Sequence, residues 1–274
     1  MGPVPRKPIL IALALVLGAV LMFGALHRFA RSMIYPGSPV PFPRAEDLAL
    51  RLPAARLIDY RSSDGIALRG ALVPAADPAA PVAVYFHGNA ESAAQNLPFA
   101  ADLAGRGISV FLAEYRGFGG LAGTPTEDGL YADGEAAVEA VLATGVRPER
   151  LVLIGRSLGS GVATELALRK PSALLVLISA YTSMVEMGRG LAGPAASLAV
   201  PDRYDNLGKI ARVRCPVVIL HGDRDEVIPV AMGRALAAAA PGITYVEVAG
   251  ASHNDFPGLE ELVVREVGKR RGAS

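Results

Sequence analysis

Ser157 lies in the pentapeptide Gly155-Arg156-Ser157-Leu158-Gly159, a spacing that suits a nucleophilic serine on a sharp turn. Residues 151–154 are apolar and predict a buried strand, and residues 162–170 are compatible with a helix. A serine between them would have strained backbone geometry, so its neighbours must lack bulk. The turn would lift the hydroxyl clear of the sheet and point the N-terminus of the next helix at the reacting atom. A glycine-rich turn alone shows the same pattern, so the hypothesis requires a base and an acid elsewhere.

The base must be a histidine that follows the serine, because a serine hydroxyl is a weak nucleophile until its proton is taken. In a sheet with this kind of turn, the acid and then the histidine follow the serine along the chain. Of four histidines, only His221 and His253 do so. His221 closes an apolar run and precedes the acidic cluster, whereas His253 lies in a polar loop after the predicted strand 243–248. By elimination, His253 is predicted to be the general base.

The acid is expected in the loop after the preceding strand, residues 221–229, which contains Asp223, Asp225 and Glu226. Its task is to fix the tautomer of the imidazole and to stabilise the imidazolium. Spacing alone does not separate Asp223 from Asp225, and the carboxylate that is not used would serve as a turn residue.

An oxyanion formed during acyl transfer needs backbone N–H donors from two places. One donor is expected from Leu158, which follows the serine, and the other from the loop after the first parallel strand, around Asn89. His87 in that loop precedes the serine in the chain, so its order is wrong for the base. We therefore interpret His87 as structural.

Strands and helices alternate along most of the chain. Segments 56–61 and 66–73 flank Asp64-Gly65 and predict an antiparallel hairpin. Apolar strand segments then follow at 82–86, 108–113, 151–154, 173–178, 215–220 and 243–248, with helices predicted near 96–105, 126–143, 230–240 and 259–267. This rhythm predicts an α/β fold with a mostly parallel sheet and helices on both faces. Residues 181–214 interrupt it and predict a small helical cap, with a long crossover helix as the alternative.

The N-terminal region predicts a membrane anchor. Residues 9–26 carry no charge and as a helix would span about 27 Å, close to the hydrocarbon thickness of a bilayer. A cleaved signal peptide would have a shorter apolar core and a small-residue cleavage site, whereas this run ends in Leu26-His27-Arg28. The predicted organisation is an anchor at 1–30, a proline-rich spacer at 31–53 and a catalytic domain at 54–274. The basic flanks nearly balance, and the free amino terminus favours a single-pass protein with its catalytic domain outside the cytoplasm.

Composition excludes several classes of protein. The 274 residues include 27 basic and 26 acidic side chains, scattered along the chain, which gives no reason to expect nucleic-acid binding. The single cysteine, Cys215, rules out an intrachain disulfide. Four scattered histidines and one cysteine supply no local ligand cluster, so no metal site is predicted. The sequence predicts no oligomeric state.

Taken together, five motifs resemble those of the α/β-hydrolase superfamily. They are His87-Gly88-Asn89-Ala90-Glu91, Tyr115-Arg116-Gly117-Phe118-Gly119, Gly155-Arg156-Ser157-Leu158-Gly159, His221-Gly222-x-x-Asp225-x-x-Ile228-Pro229 and Ser252-His253-Asn254-Asp255. More narrowly, they look like the membrane-anchored serine hydrolases related to the animal α/β-hydrolase-domain depalmitoylases and their bacterial relatives. The resemblance implies that Asp225 is the acid, that the N–H of Asn89 is the second oxyanion donor, and that the chain has an N-terminal anchor.

The expected activity is hydrolysis of a carboxylic ester or thioester through an acyl-enzyme on Ser157, with no cofactor or metal. The expected partners are a small acyl-ester or acylated substrate, and a membrane through residues 9–26. A peptidase or amidase using the same triad is the nearest alternative. A non-catalytic anchored binding module is the alternative from another class, because fold alone does not fix function.

Overall fold

The computed structural model describes residues 6–38 and 40–271. Pro39 of the predicted spacer, residues 1–5 of the predicted anchor and residues 272–274 of the predicted domain lie outside the described residues. The strands are β1 (Arg56–Arg61), β2 (Ala67–Val73), β3 (Val82–Phe86), β4 (Ser109–Ala113), β5 (Leu151–Arg156), β6 (Leu174–Ile178), β7 (Val217–Gly222) and β8 (Thr244–Val248). The helices are α1 (Arg6–Ile34), α2 (Ala45–Arg51), α3 (Leu97–Gly105), α4 (Glu127–Leu142), α5 (Leu158–Arg169), α6 (Met184–Ala192), α7 (Asn206–Ile210), α8 (Val230–Ala238) and α9 (Leu259–Arg271).

The eight strands form one sheet in the order β1-β2-β4-β3-β5-β6-β7-β8. β1 pairs antiparallel with β2, and β2 pairs antiparallel with β4, while the pairs from β4 through β8 are all parallel. The predicted fold class is confirmed: a mostly parallel sheet that opens with an antiparallel hairpin. Because the parallel strands share one direction, the loops after β3, β5, β7 and β8 emerge at the same carboxyl edge.

Side chains alternate between two buried faces of the sheet. On β3, Val84 and Phe86 point to the face covered by α4, α5 and α8, whereas Ala83 and Tyr85 point to the face covered by α2, α3 and α9. All five residues of β3 are buried, as in β4 and β6. A strand that is covered on both faces is mostly apolar rather than alternating, which is why these strands are easy to recognise in the sequence.

The segment between β6 and β7 forms a small helical cap, as predicted. It contains α6, a 3-10 turn at Pro194–Ala199, and the short helix α7. Ser183 caps α6 by accepting a hydrogen bond from Glu186 N, and Asp205 caps α7 in the same way through Gly208 N. These caps divide the insertion into short helices, so it is not one long crossover helix.

α1 is long and apolar enough to cross a membrane. The candidate span Leu10–Ile34 has a mean hydropathy of 2.4, and none of its apolar window is buried within the protein. A signal sequence near an N-terminus passes the same test of length and composition. α1 continues into the predicted spacer, and α2 lies within that spacer with its Leu48 buried against the sheet. The division into anchor, spacer and domain stays a prediction.

Candidate active site

Ser157 occupies the turn between β5 and α5. Its backbone angles, φ 51° and ψ −119°, lie in a region that non-glycine residues rarely adopt. A Cβ at Gly155 would clash with the Gly159 carbonyl, and one at Gly159 would clash with the Phe86 carbonyl. The two glycines therefore allow α5 to begin directly against the ends of β3 and β5, with the serine at the point of contact.

His253 lies in the loop after β8 and contacts both of its predicted partners. Its Nε2 is 3.2 Å from Ser157 Oγ, and its Nδ1 is 3.0 Å and 2.9 Å from the two carboxylate oxygens of Asp225. Because a carboxylate only accepts, Nδ1 carries the proton, which leaves Nε2 of the neutral ring as the acceptor for the serine hydroxyl. The structure thus brings the three predicted catalytic side chains together in one chain of hydrogen bonds.

Asp225 is held by the backbone as well as by His253. Its Oδ1 accepts hydrogen bonds from Val227 N at 3.0 Å and Ile228 N at 2.7 Å. Burial alone would raise the pKa of Asp225, but the hydrogen bonds from His253 and Ile228 outweigh it and lower this pKa to about 2. The carboxylate is therefore ionised at neutral pH. Asp223, which spacing could not separate from it, instead accepts the Gly250 N–H at 2.7 Å.

The two predicted oxyanion donors belong to segments that meet at the serine: Asn89 lies in the loop after β3, and Leu158 directly follows Ser157. A Cβ at Gly88 would lie 3.5 Å from Ser157 Cβ, which shows how closely the loop after β3 approaches the turn. Glu91 holds this loop by accepting the Gly88 N–H at 2.7 Å. Leu158 begins α5, where the first N–H groups have no acceptor within the helix. Within the described residues, neither the Asn89 N–H nor the Leu158 N–H has a backbone acceptor, and their role as oxyanion donors stays a prediction.

His87 is fully buried beneath this loop and does not contact Ser157. Its Nε2 is 2.8 Å from Glu114 Oε1, and its Nδ1 is 2.8 Å from Gly88 O. Both partners are acceptors, so only the doubly protonated ring can donate to both. Burial lowers the pKa of His87, but the Glu114 carboxylate more than offsets this effect and the net pKa is raised. The contacts agree with the structural interpretation of His87.

Sequence patterns did not predict the supporting roles of three residues. Arg156, at the variable position before the serine, donates from its guanidinium to the backbone carbonyl of His253 at 2.8 Å. Glu114 accepts the Ala93 N–H at 3.0 Å in addition to its contact with His87, so it fixes both ends of the loop after β3. A carboxylate that directly follows the apolar residues 110–113 of β4 was the available signal for Glu114. Arg156 carried no such signal.

His221 is the third supporting residue, and it lies behind Asp225. It is fully buried, its Nε2 donates to Ile228 O at 2.9 Å, and Asp225 Oδ2 lies 3.5 Å from the same nitrogen. Burial lowers the pKa of His221, so the ring is neutral at neutral pH. His221 therefore packs against the acid and has no contact with the serine among the described residues.

The arrangement can move a proton from a hydroxyl to an imidazole and stabilise the resulting cation with a carboxylate. Within residues 6–38 and 40–271, no group of three or more histidine, cysteine or carboxylate side chains is placed to hold a metal ion. The chemistry that these side chains support is acyl transfer through a serine.

Comparisons with known proteins agree with the fold. A family model described as serine aminopeptidase, S33 matches residues 77–206. An uncharacterized protein of Mycobacterium tuberculosis is 36% identical over 268 residues, which cover 96% of this chain and 93% of that protein. Human α/β hydrolase domain-containing protein 17B is 37% identical over 176 residues, covering 63% of this chain and 60% of the human protein. An esterase of Pyrococcus furiosus superposes with a TM-score of 0.66 at 18% identity, covering 87% of this chain and 98% of the esterase.

The fold and these matches define the class of protein: the chain belongs to the α/β-hydrolase superfamily and is an enzyme of that class. Within the superfamily it is similar to the α/β-hydrolase domain-containing 17 group and to mycobacterial relatives, so the resemblance seen in the motifs is confirmed.

Proposed function

We propose that this protein is a serine hydrolase that cleaves a carboxylic ester or thioester through an acyl-enzyme. Ser157 is the nucleophile, His253 the general base, and Asp225 the acid that orients the imidazole. The observation that supports these roles is the pair of contacts made by one ring: Nε2 lies 3.2 Å from Ser157 Oγ, and Nδ1 lies 2.9 Å from Asp225 Oδ2. A base that is fixed at one nitrogen and faces a hydroxyl with the other meets the geometric requirement for the reaction.

In the acylation step, Ser157 Oγ forms a bond to the carbonyl carbon while its proton passes to His253 Nε2. The carbonyl π electrons move to the oxygen, which becomes an oxyanion bound by the N–H groups of Asn89 and Leu158. The bond to the leaving oxygen or sulfur then breaks, and His253 returns the proton to that atom. Water repeats the sequence on the acyl-enzyme, releasing the carboxylic acid and free Ser157.

Peptide or amide hydrolysis is the second candidate, because the matching family model is described as a serine aminopeptidase. The same triad serves both reactions, but a leaving amine must be protonated firmly before the bond breaks. A panel of substrates that share one acyl group and differ in the leaving group separates the two.

We also propose that α1 anchors the protein in a membrane as a single span, with the catalytic domain outside the cytoplasm. The candidate span Leu10–Ile34, whose uncharged part ends at Leu26, and the absence of a small-residue cleavage site around Leu26-His27-Arg28 support an anchor. The N-terminal sequence of the mature protein tests retention of α1. Protease accessibility of the catalytic domain in intact cells tests its orientation.

The deciding experiment for the enzyme measures turnover of matched p-nitrophenyl esters, a thioester and an aminoacyl amide by the full chain and by Ser157→Ala. We expect the wild-type chain to turn over the esters and thioester, and the variant to lose about 10⁴-fold or more of that activity while remaining folded. Ser160→Ala, which alters a buried hydroxyl one turn into α5, is the matched control and should retain turnover. Equal ester turnover by Ser157→Ala and the wild type would reject the proposal, and wild-type turnover of the amide alone would favour the peptidase.

A further inference from the structure

The end of α1 contacts the same edge of the sheet that carries the candidate triad. The Asn89 side chain, in the loop after β3, donates to Met33 O at 3.2 Å. The Tyr35 hydroxyl, just beyond α1, is 2.9 Å from the hydroxyl of Tyr204 in the insertion after β6. Both loops leave the sheet at its carboxyl edge. The candidate membrane helix therefore approaches the domain from the side of Ser157.

Arg31 makes a third connection at this edge. Its guanidinium donates to Pro125 O at 3.2 Å, immediately before α4, and lies 3.4 Å from the Asp202 carboxylate in the cap. Asp202 is itself only 6% exposed. Three separate contacts fix the direction of α1 relative to the carboxyl edge, and the helix has no break before Ile34.

The distance between the apolar span and these contacts is short. The uncharged run ends at Leu26, and Arg31 is five positions further along the same helix. At about 1.5 Å per residue, the first contact lies only about 7–8 Å beyond the apolar span. The headgroup layer on each side of a bilayer is about as thick. If residues 9–26 span the hydrocarbon, the contacted edge lies at the headgroups.

The cap presents an apolar surface at this position. Residues 190–201 carry no charge, and Leu191 and Leu198 within them are 75% and 76% exposed. The 3-10 turn Pro194–Ala199, which contains Leu198, contacts α1. Arg189 precedes the uncharged segment, and Asp202 and Arg203 follow it; the two arginine side chains suit the headgroup region.

We propose that residues 190–201 of the cap dock on the bilayer beside α1, with Leu191 and Leu198 entering the boundary between headgroups and acyl chains. The proposal rests on the membrane anchor described under Proposed function. The partner of this surface is lipid rather than another protein, because the exposed leucines lie beside the helix that the proposed anchor places in the bilayer. In addition, no charge in the segment opposes burial. This docking holds the carboxyl edge of the sheet, with Ser157, at the membrane surface.

The absence of tryptophan from the sequence allows a direct test. Single-tryptophan variants of the full chain, reconstituted in phosphatidylcholine vesicles with or without brominated acyl chains, report contact with lipid by quenching. We expect Leu198→Trp to lose fluorescence in brominated vesicles and to emit at shorter wavelength than Ala76→Trp in the same vesicles. Ala76→Trp, exposed in the β2–β3 loop at the opposite edge of the sheet, is the control and should not be quenched.

A second pair of variants keeps the outcomes distinct. Leu17→Trp, at the centre of the apolar run 9–26, should be strongly quenched. Leu191→Asp, placed in the Leu198→Trp background, should reduce quenching of the tryptophan at position 198, because a carboxylate resists burial in lipid. Quenching of Leu17→Trp without quenching of Leu198→Trp would overturn the docking proposal and leave the anchor intact. An unquenched Leu17→Trp would reject the anchor together with the docking, whereas the ester-hydrolase proposal is judged separately by Ser157→Ala.

Discussion

Two histidine–carboxylate pairs lie at the carboxyl edge of this sheet, and their geometry is nearly the same. His87 Nε2 is 2.8 Å from the Glu114 carboxylate, and His253 Nδ1 is 2.9 Å from the Asp225 carboxylate. All four side chains are buried. By distance and burial alone, the two pairs could not be told apart.

The second ring nitrogen distinguishes them. In His87 it donates to the Gly88 carbonyl, so the ring has no free lone pair and the pair acts as a clamp on its loop. In His253 it faces the Ser157 hydroxyl. A histidine beside a carboxylate becomes a candidate base only when its other nitrogen meets a group that can give up a proton.

The largest effect should come from replacing each histidine in turn. His253→Ala should lower turnover of p-nitrophenyl esters by about 10⁴-fold or more and prevent fluorophosphonate labelling of Ser157. His87→Asn should instead destabilise the fold by about 3–5 kcal/mol, because it leaves Glu114 buried without its counter-charge. Turnover and urea unfolding of the full chain in detergent micelles measure the two effects. If folded His87→Asn lost as much turnover as His253→Ala, the distinction between clamp and base would be wrong.

A smaller effect should separate the two aspartates of one loop. Asp225→Asn should reduce turnover by about 10³–10⁴-fold, because an amide at this position no longer selects the Nδ1–H tautomer. Asp223→Asn should change turnover by less than about tenfold, because the Asp223 carboxylate accepts the Gly250 N–H and has no hydrogen bond to His253 among the described residues. The comparison is made at saturating ester and at one pH. Equal losses in both variants would remove the support for Asp225 as the acid.

The smallest predicted effect is the pH dependence of stability, which should have opposite signs for the two pairs. The pKa of Asp225 is lowered to about 2. The ionised carboxylate therefore contributes about 2 kcal/mol to the free energy of unfolding above about pH 4, and this contribution is lost as the pH falls to 2. The pKa of His87 is raised. The protonated ring therefore contributes its full share to the free energy of unfolding below about pH 6.5, and this contribution is lost as the pH rises through the pKa of His87 in the folded protein.

Urea unfolding midpoints across this pH range measure both contributions. The stability difference between the wild type and Asp225→Asn should shrink below pH 4, and that between the wild type and Glu114→Gln should shrink as the pH rises above neutral. If both stability differences shrank in the same direction of pH change, the two pairs would not differ in the group whose charge stabilises them.

Much of the fold could be predicted because the central strands, such as β3 and β6, are buried on both faces and are therefore apolar throughout. Element ends were less accurate: the sequence suggested a helix from residue 162, whereas α5 begins at Leu158. Gly159 and Gly161 have low helix propensity, but close packing of α5 against β3 and against Tyr204 requires residues without side chains at both positions. Tertiary packing therefore overrode the local preference.

The sequence by itself determined the order of the strands along the chain, the serine turn and the choice of His253, because only two histidines follow Ser157. Only the tertiary structure separated the contacts of Asp225 from those of Asp223, and only it revealed Arg156 on the His253 carbonyl and α1 on the carboxyl edge. The physical reason is the range of the interactions. Burial and backbone turns leave a local pattern in the sequence, whereas a hydrogen bond between distant loops depends on where the folded chain brings them.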